Sequence, residues 1–445
     1  FEEIAAGAVG LARARGATDA ECTLIQGDEF SVSVRRGQVE NLKQAGARGA
    51  GIRVLIGKRT GSAYTSDLTP DGIRAMVSGA MEIAEITSDD SFAGLPEDAD
   101  FGKVDADLQL YFDDVETLST EEKIRRARDA EAAALAVDSR ITNSEGASFD
   151  SYTGYRVFAN SRGFVNSYRT SNCSLATVPV AKLGDAMERD YWMTAARSAS
   201  RLESPELVGT TAAKRVLRRL GARKVATQRV PVVFEARVAR SLLDHVFDAV
   251  NGNSVYRKAS FLAGKLGEKV ASERVTIVDD GTIPVLFGST PSDDEGVPSR
   301  RTVVVDKGVL TSYLMNTYSA RRLGLKTTGN ASRGLTGAAA VGHGNFYLEP
   351  GAMTAAEIIR SVPNGLYVTE LIGFGANTVT GDYSRGAVGL WIENGELAYP
   401  VSEVTISGTI PNLLAGIEAI GNDLEFRGSL ASPTVMVGEL MVSGK

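Results

Sequence analysis

Few side chains in this sequence could do chemistry, because its 445 residues contain only two histidines and two cysteines. One histidine, His245, lies between Asp244 and Asp248 in the segment 235–250. A carboxylate beside an imidazole could hold a metal ion weakly, but a zinc helix needs two histidines on one face and a Glu beside the first. Val246 follows His245, and no second imidazole stands one turn further on. We therefore interpret the segment as a helix-surface charge cluster that lacks the ligands of a metal helix.

The second histidine also gives no catalytic pattern. His343 lies in the glycine-flanked stretch 342–345, which we interpret as a surface loop. A Ser-His-Asp site would have to use one of these two histidines, and the sequence has no G-x-S-x-G elbow to support it. It also has no G-x-x-x-x-G-K-[ST] loop and no complete G-x-G-x-x-G. The sequence thus predicts no catalytic residue and no metal ligand.

Two polar stretches between predicted strands could instead bind a ligand. The first, 289–296, concentrates three carboxylates: Asp293, Asp294 and Glu295. The second, 381–386, sets four polar side chains between two glycines: Asp382, Tyr383, Ser384 and Arg385. Binding residues concentrate on loops held by rigid strands, but a turn that satisfies its own backbone has the same composition. We favour the turn for the first stretch and leave both interpretations open for the second.

The helix that carries His245 is strongly amphipathic. Val238, Leu242, Val246 and Val250 recur at every fourth position, as a core-facing stripe should. Asn and Gly at 251–253 predict its end, because both residues tolerate the left-handed conformation. An apolar strand over 230–234 leads into it.

The rest of the chain divides into three α+β parts joined by an acidic surface connection. The predicted parts are 1–88, a connecting segment 89–114, a second unit 115–225, and a strand-rich unit 230–445. The first part is predicted to run α-β-β-β-β-α, with strands at 21–26, 29–36, 49–56 and 62–66 between helices at 1–15 and 70–86. The second has helices from 119 to 137 and 205 to 220, with strands between 141 and 180. The last unit has predicted strands at 275–278, 284–287, 301–305, 309–316, 366–372, 387–392 and 397–407, and a helix at 411–420.

Composition excludes several classes of protein. A formal charge of -7 and a pI near 5.3 argue against a nucleic-acid surface. Cys22 and Cys173 are far apart in the sequence, which favours a reducing cytoplasm over a disulfide framework. No apolar run approaches the ~18 residues of a membrane span, and the acidic start is unlike a secretion signal. We therefore expect a cytoplasmic protein without a membrane or nucleic-acid partner.

Several longer stretches resemble the TldD/PmbA family, whose members are often called modulators of DNA gyrase. They are residues 253–270, 289–330, 368–408 and 420–426, together with the early stretches 49–53 and 60–64. The resemblance covers nearly the whole chain and is densest over 230–445. It departs from the family's sequence pattern at 335–350, where the sequence is rich in glycine and alanine.

The family has two branches that pair as subunits of a metalloprotease, and the TldD branch binds zinc through an HExxxH helix. Aligned on the Arg257-Lys258 pair, the three motif positions of this sequence are Asp244, His245 and Ala249. A downstream cysteine of the catalytic branch also has no counterpart, since no cysteine follows Cys173. The sequence at 379–387 and 400–403 resembles that of the PmbA (TldE) branch, which lacks the metal ligands.

The resemblance implies an α+β fold with N-terminal α/β units, mixed or antiparallel sheets, and a large, barrel-like, strand-rich C-terminal domain. It implies no catalytic zinc in this chain and zinc in a TldD-like partner, with assembly as a heterodimer or a homodimer. The expected substrate is an unfolded peptide, contacted through two groups of residues: Asp293, Asp294 and Glu295, and Asp382, Tyr383, Ser384 and Arg385. The alternatives are a non-hydrolytic peptide-binding homodimer and a modulator of DNA gyrase.

Overall fold

The N-terminal half of the chain is organised by one long antiparallel sheet in the computed structural model, which describes residues 1–444. Its elements in chain order are α1 (Glu2–Ala14), β1 (Asp19–Arg35), β2 (Gln38–Ile56), β3 (Arg59–Thr65), α2 (Pro70–Ile86), α3 (Asp114–Thr117), α4 (Thr120–Leu135), β4 (Ile141–Asn160), β5 (Val165–Leu183), β6 (Ala186–Arg189), β7 (Trp192–Ala196) and α5 (Pro205–Leu217). The strand order is β3-β2-β1-β4-β5-β6, with β7 also paired to β5. The two N-terminal units predicted separately therefore share one sheet.

The two faces of this sheet have different partners. Successive side chains of a strand point to opposite faces, and the even-numbered residues of β1 pack in the cores that contain the helices. Cys22 and Leu24 lie in the core with α1 and α2, while Phe30 and Val32 lie in the core with α4 and α5. Glu21 has the opposite orientation and meets the C-terminal half of the chain. The sheet thus carries its helices on one face and the C-terminal half on the other.

The C-terminal half contains a closed barrel. Its elements are β8 (Gln228–Phe234), α6 (Ala236–Val250), α7 (Gly252–Tyr256), β9 (Ile277–Asp280), β10 (Arg301–Asp306), β11 (Val309–Leu310), α8 (Thr317–Leu323), β12 (Ala331–Ser332), β13 (Ala340–Val341), β14 (Asn345–Leu348), α9 (Ala355–Arg360), β15 (Asn364–Ile372), β16 (Asp382–Glu393), β17 (Glu396–Thr409), α10 (Ile410–Ala415), β18 (Ile417–Ile420), β19 (Leu430–Ala431) and β20 (Val435–Ser443). Five strands close in the order β17-β16-β15-β8-β20, and β20 pairs back to β17. A second sheet has the order β11-β10-β9-β14-β19. The predicted α+β fold with a barrel-like C-terminal domain is confirmed.

The helix α6 packs its apolar stripe into the barrel core, as its periodicity predicts. Val238, Leu242 and Val246 are all buried there. The predicted end at residue 250 is right, but the predicted left-handed ending is wrong. Asn251 has extended dihedrals (φ -63, ψ 119) and its side chain caps α7 by accepting a hydrogen bond from the Asn253 N–H. Gly252 is needed for close packing, because a Cβ there would lie 2.7 Å from the Ser319 Oγ.

A buried ion cluster joins the N-terminal sheet to the C-terminal half. Glu21 on β1 accepts a hydrogen bond from the Arg53 Nε at 2.6 Å, and Arg333, from the segment after β12, donates to the same carboxylate. All three residues are buried. Burial alone would raise the pKa of Glu21, but the charges of Arg333 and Arg53 outweigh it and hold that pKa below its ordinary value. The carboxylate therefore stays ionised and links residues 312 positions apart in the sequence.

Glycine lets the same two halves approach at the backbone. A Cβ on Gly51 of β2 would lie only 1.8 Å from the carbonyl oxygen of Leu335. No side chain fits at that distance, so the glycine at 51 permits the segment after β12 to lie directly on the sheet.

Four predictions of secondary structure are wrong, and for three of them the structure shows partners that the sequence pattern did not indicate. Strands 21–26 and 29–36 are one strand, β1, which pairs with β2 on one side and β4 on the other. The predicted strand 284–287 is a series of turns, and the carbonyls of Leu286 and Phe287 accept hydrogen bonds from the Arg197 guanidinium instead. The predicted strand 309–316 is limited to β11, and the second half of the predicted helix 411–420 is β18, which pairs with β20.

Candidate functional site

The candidate site lies where α6 faces the barrel strand β16. Residues 381–386 were predicted to form a loop, and that prediction is wrong, because Asp382 already begins β16 and lies opposite Thr409 of β17. The strand alternation then separates the polar residues into two pairs. Tyr383 is buried in the barrel core beside α6, with Arg385 on the same face, while Asp382 and Ser384 are exposed on the other.

His245 meets Tyr383 across this contact. The two rings lie edge to face, with centroids 6.1 Å apart and an interplanar angle of 70°. Neither the His245 Nε2 nor the Tyr383 hydroxyl has a hydrogen-bond partner among residues 1–444. Burial lowers the pKa of His245, and the Arg385 guanidinium lowers it further. Burial also raises the pKa of Tyr383 to about 12, so both side chains are uncharged at neutral pH.

The two acids beside His245 are less acidic than free carboxylates. Asp244 and Asp248 reach solvent, yet the surrounding protein raises the pKa of both. For Asp244 the charge of Arg240 opposes this effect of burial. For Asp248 the neighbouring Asp244 adds to it.

These residues do not fit a zinc ion. A catalytic zinc takes three protein ligands and keeps one position for water. The helix α6 offers one imidazole, since the position one turn after His245 is Ala249, which is fully buried and has no ligand atom. The nearby guanidinium of Arg385 also opposes a cation. Throughout the described residues, no group of three or more His, Cys, Asp and Glu side chains is placed to hold a metal ion.

Beside α6 lies a groove of about 480 Å³ at the junction of the two halves of the chain. We call it the arginine groove, because six of its lining residues are arginines: Arg189, Arg215, Arg219, Arg237, Arg240 and Arg385. Four acids also line it: Glu145, Asp190, Asp244 and Glu370. Sequence analysis identified Arg385 and Asp244 but missed the other five arginines. They come from three separate segments of the chain, and only the helical spacing within 215–219 and within 237–244 could have indicated shared faces.

The three acids predicted in 289–296 form hydrogen bonds and an ion pair with other residues of this chain. Asp293 accepts backbone hydrogen bonds from Glu295, Val297 and Ala331, all at 2.9 Å. Burial and the neighbouring Glu295 raise the pKa of Asp293 well above its ordinary value. Glu295 accepts the Thr317 N–H. A peptide-binding role for these two acids stays a prediction, and their own contacts already explain their burial.

The third of these acids, Asp294, forms an ion pair with Arg156 at 2.8 Å. Asp293, Asp294 and Arg156 line a second cavity of about 280 Å³, which His343 also borders. His343 was interpreted as a surface-loop residue, but it is half-buried. Its ring lies edge-on to Phe247, with centroids 4.7 Å apart, so its glycine-rich sequence context gave no indication of its packing.

The fold and the site define a class of protein: an α+β chain in which a long antiparallel sheet joins a closed barrel, and in which the core helix α6 has a single imidazole. Three family models match it, described as PmbA/TldA metallopeptidase domain 1 (20–84), central domain (113–220) and C-terminal domain (227–444). The chain belongs to the PmbA/TldD family. Relatives that are 40% and 38% identical to this chain carry the PmbA name.

Metalloprotease PmbA of Escherichia coli O157:H7 is 40% identical over 98% of this chain and 94% of its own length. A PmbA homologue from Haemophilus influenzae is 38% identical with the same coverage. A metalloprotease TldD homologue from Buchnera aphidicola is 25% identical over 85% of this chain and 80% of its own length. The chain is thus similar to both branches, and more so to PmbA.

Two solved structures have the same fold as this chain. The crystal structure of a proposed modulator of DNA gyrase from Bacteroides thetaiotaomicron matches with a TM-score of 0.92 at 28% identity, over 100% of this chain and 99% of that one. TldE from Thermococcus kodakarensis matches with a TM-score of 0.90 over 99% and 100%, and its 21% identity supports a shared fold. None of the helices within residues 1–444 is long and apolar enough to cross a membrane.

Proposed function

We propose that this chain is the PmbA (TldE)-type subunit of a two-subunit metalloprotease, which handles unfolded peptides without a catalytic zinc of its own. The observation that carries the proposal is the composition of α6. At the three HExxxH positions it has Asp244, His245 and the buried Ala249. A TldD-like partner would supply the zinc and the hydrolytic step.

The chemistry of the site supports binding rather than hydrolysis. Peptide hydrolysis needs an activated water and a group that stabilises the developing oxyanion. His245 is the only imidazole on α6, and its ring packs against Tyr383, which is held in the barrel core. A guanidinium such as that of Arg385 can hold a peptide oxygen by charge-assisted hydrogen bonds. We assign peptide contact to Arg385, while Tyr383 braces the site; contact through Asp382 and Ser384, which lie on the opposite face of β16, stays a prediction.

The contact with the partner fits the loop between β15 and β16. Ile372 at the end of β15 is exposed, as are Phe374 and Val379 in the loop, and the Phe374 side chain is fully so. Exposed apolar side chains that cluster in this way mark protein contacts. We place the TldD-like chain on this loop, in a cytoplasmic heterodimer. Phe374→Ser should weaken the heterodimer in sedimentation experiments while the chain stays folded, whereas Leu183→Ser, at an exposed leucine on the N-terminal sheet, should not.

Reconstitution tests the proposed function. This chain, an HExxxH-bearing TldD-like chain, and their equimolar mixture are each incubated with an unstructured peptide, and the products are measured by mass spectrometry. We expect no cleavage by this chain alone and strong cleavage by the mixture. Cleavage by the chain alone, inhibited by a chelator, would refute the proposal. A mixture that never assembles would favour the non-hydrolytic peptide-binding homodimer instead.

A direct action on DNA gyrase rests only on the names of relatives such as the Bacteroides structure. The formal charge of -7 disfavours direct contact with DNA. Duplex binding that weakens steeply with salt would support it.

A further inference from the structure

Most arginines of the arginine groove form ion pairs or stack on aromatic rings within this chain. Three arginines form ion pairs: Arg189 with Glu145, Arg215 with Glu235 and Asp190, and Arg219 with Glu370 and Glu188. Arg237 stacks on Tyr191 and Trp192. These four side chains build the wall of the groove, and their charges are balanced or shielded.

The other two arginines of the groove form no such contacts among the described residues. Arg240 on α6 and Arg385 on β16 have no hydrogen-bond or ion-pair partner within residues 1–444, and the Arg385 Nε is a buried atom. The remaining unpaired acid of the lining is Asp244, one helical turn from Arg240, which forms no ion pair within 4.0 Å. Two free cations and one free acid leave the groove with an unbalanced positive charge.

We propose that Arg240 and Arg385 form a binding site for a peptide carboxylate in the arginine groove. The carboxylate is the C-terminus of the peptide or an acidic side chain. The inference rests on the proposed function, since it names the group of the peptide that this chain would recognise. A guanidinium presents parallel N–H donors that match the two oxygens of a carboxylate. Donors from a helix and from a barrel strand also come from rigid elements, so little order must be gained on binding.

Two features of the groove, its charge and its opening to solvent, suit the binding of a peptide by one anionic group. Asp244 lies near enough to both arginines for their charges to oppose the rise that burial causes in its pKa, and the three side chains together keep a net positive charge for a peptide carboxylate. The groove also opens to solvent beside α6 at the junction of the two halves, so the anchored residue can lie inside while the rest of the peptide extends outwards. This chain would then select peptides by an anionic group and hold that group in place.

Fluorescence anisotropy tests the inference with three unstructured peptides labelled at the N-terminus. One has a free C-terminal carboxylate and no acidic side chain, the second is its C-terminal amide, and the third is the amide with one internal Glu. Binding is measured at low ionic strength to the full chain and to its complex with a TldD-like partner. The variants are Arg240→Gln, Arg385→Gln and both together, with Arg189→Gln as control, because Arg189 lines the same groove but is paired with Glu145.

We expect the free acid or the Glu-bearing amide to bind at least about tenfold more tightly than the plain amide. The double variant should abolish that preference, and Arg189→Gln should keep it. Arg240 is exposed on α6, so Arg240→Gln should fold normally and still lose part of the preference. Equal binding of all three peptides would overturn the carboxylate site while leaving peptide handling intact. No binding of any peptide, to the chain or the complex, would overturn the proposed function as well.

Discussion

The buried cluster of Glu21, Arg53 and Arg333 gives a sharp prediction about what holds the two halves of the chain together. Glu21→Gln keeps the shape of the side chain and removes the one charge that lies between the two guanidinium groups. The carboxylate is 0% exposed, and the Arg53 Nε donates to it at 2.6 Å. The substitution therefore leaves two buried cations side by side.

Breaking a buried ion pair by removing one partner costs about 3–5 kcal/mol. The amide oxygen of the new Gln can still accept one hydrogen bond, so we expect a loss of about 3 kcal/mol in the free energy of unfolding. Glu29→Gln is the matched control on the same strand. The side chains of Lys43 and Glu29 are 57% and 54% exposed, and such a surface pair contributes about 0–1 kcal/mol.

Urea unfolding measures the loss, and hydrogen exchange locates it. Amides of β1, and of the segment after β12 that carries Arg333, should exchange faster in Glu21→Gln than in Glu29→Gln. The pKa of Glu21 is lowered from 4.5, so its stabilisation is present above pH 4.5 and is lost as the pH falls through the lower pKa of the folded state. Equal midpoints for the two variants at neutral pH would refute the claim that this cluster joins the halves.

Three further substitutions test a close backbone contact, a buried acid and the core beside α6. Gly51→Ala should cost about 1–3 kcal/mol in urea unfolding, because its Cβ would meet the Leu335 carbonyl, whereas Gly7→Ala on α1, with open space around it, should not destabilise the chain. Burial raises the pKa of Asp279 to about 6. The folded state therefore binds a proton at Asp279 more tightly than the unfolded state, and the free energy of unfolding falls as the pH rises from about 4 to 6. Asp279→Asn should raise the melting temperature at about pH 8 and lose that advantage near pH 4. Ala249→His should overpack the core by about 1–3 kcal/mol and bring no zinc, measured by metal analysis.

Local patterns predicted the elements that carry the site. The four-residue spacing of apolar side chains located α6 to within a residue at both ends. The predicted strands 387–392 and 397–407 lie within β16 and β17, and Asn394 and Gly395 between them have the positive φ that a tight hairpin turn requires (52° and 79°). The single imidazole on α6 can be read directly from the residue types, whereas the absence of bound zinc stays a prediction.

Contacts between distant segments could not be predicted. The glycines and polar residues of 381–386 are typical of a turn, yet pairing with β17 makes them a strand and separates Arg385 from Ser384. The arginine groove draws its cations from several elements, and which of them are paired depends on acids elsewhere in the chain. The cluster at Glu21 joins residues 312 positions apart in the sequence, and no local pattern indicates such a contact.

Zinc stoichiometry in the lone chain tests the central claim most directly. The purified protein is saturated with zinc, passed through gel filtration and analysed for bound metal, with a peptide cleavage assay on the same fraction. The replacement of the HExxxH residues by Asp244, His245 and Ala249 predicts no retained zinc and no cleavage. One tightly held zinc per chain together with peptide hydrolysis would contradict the account.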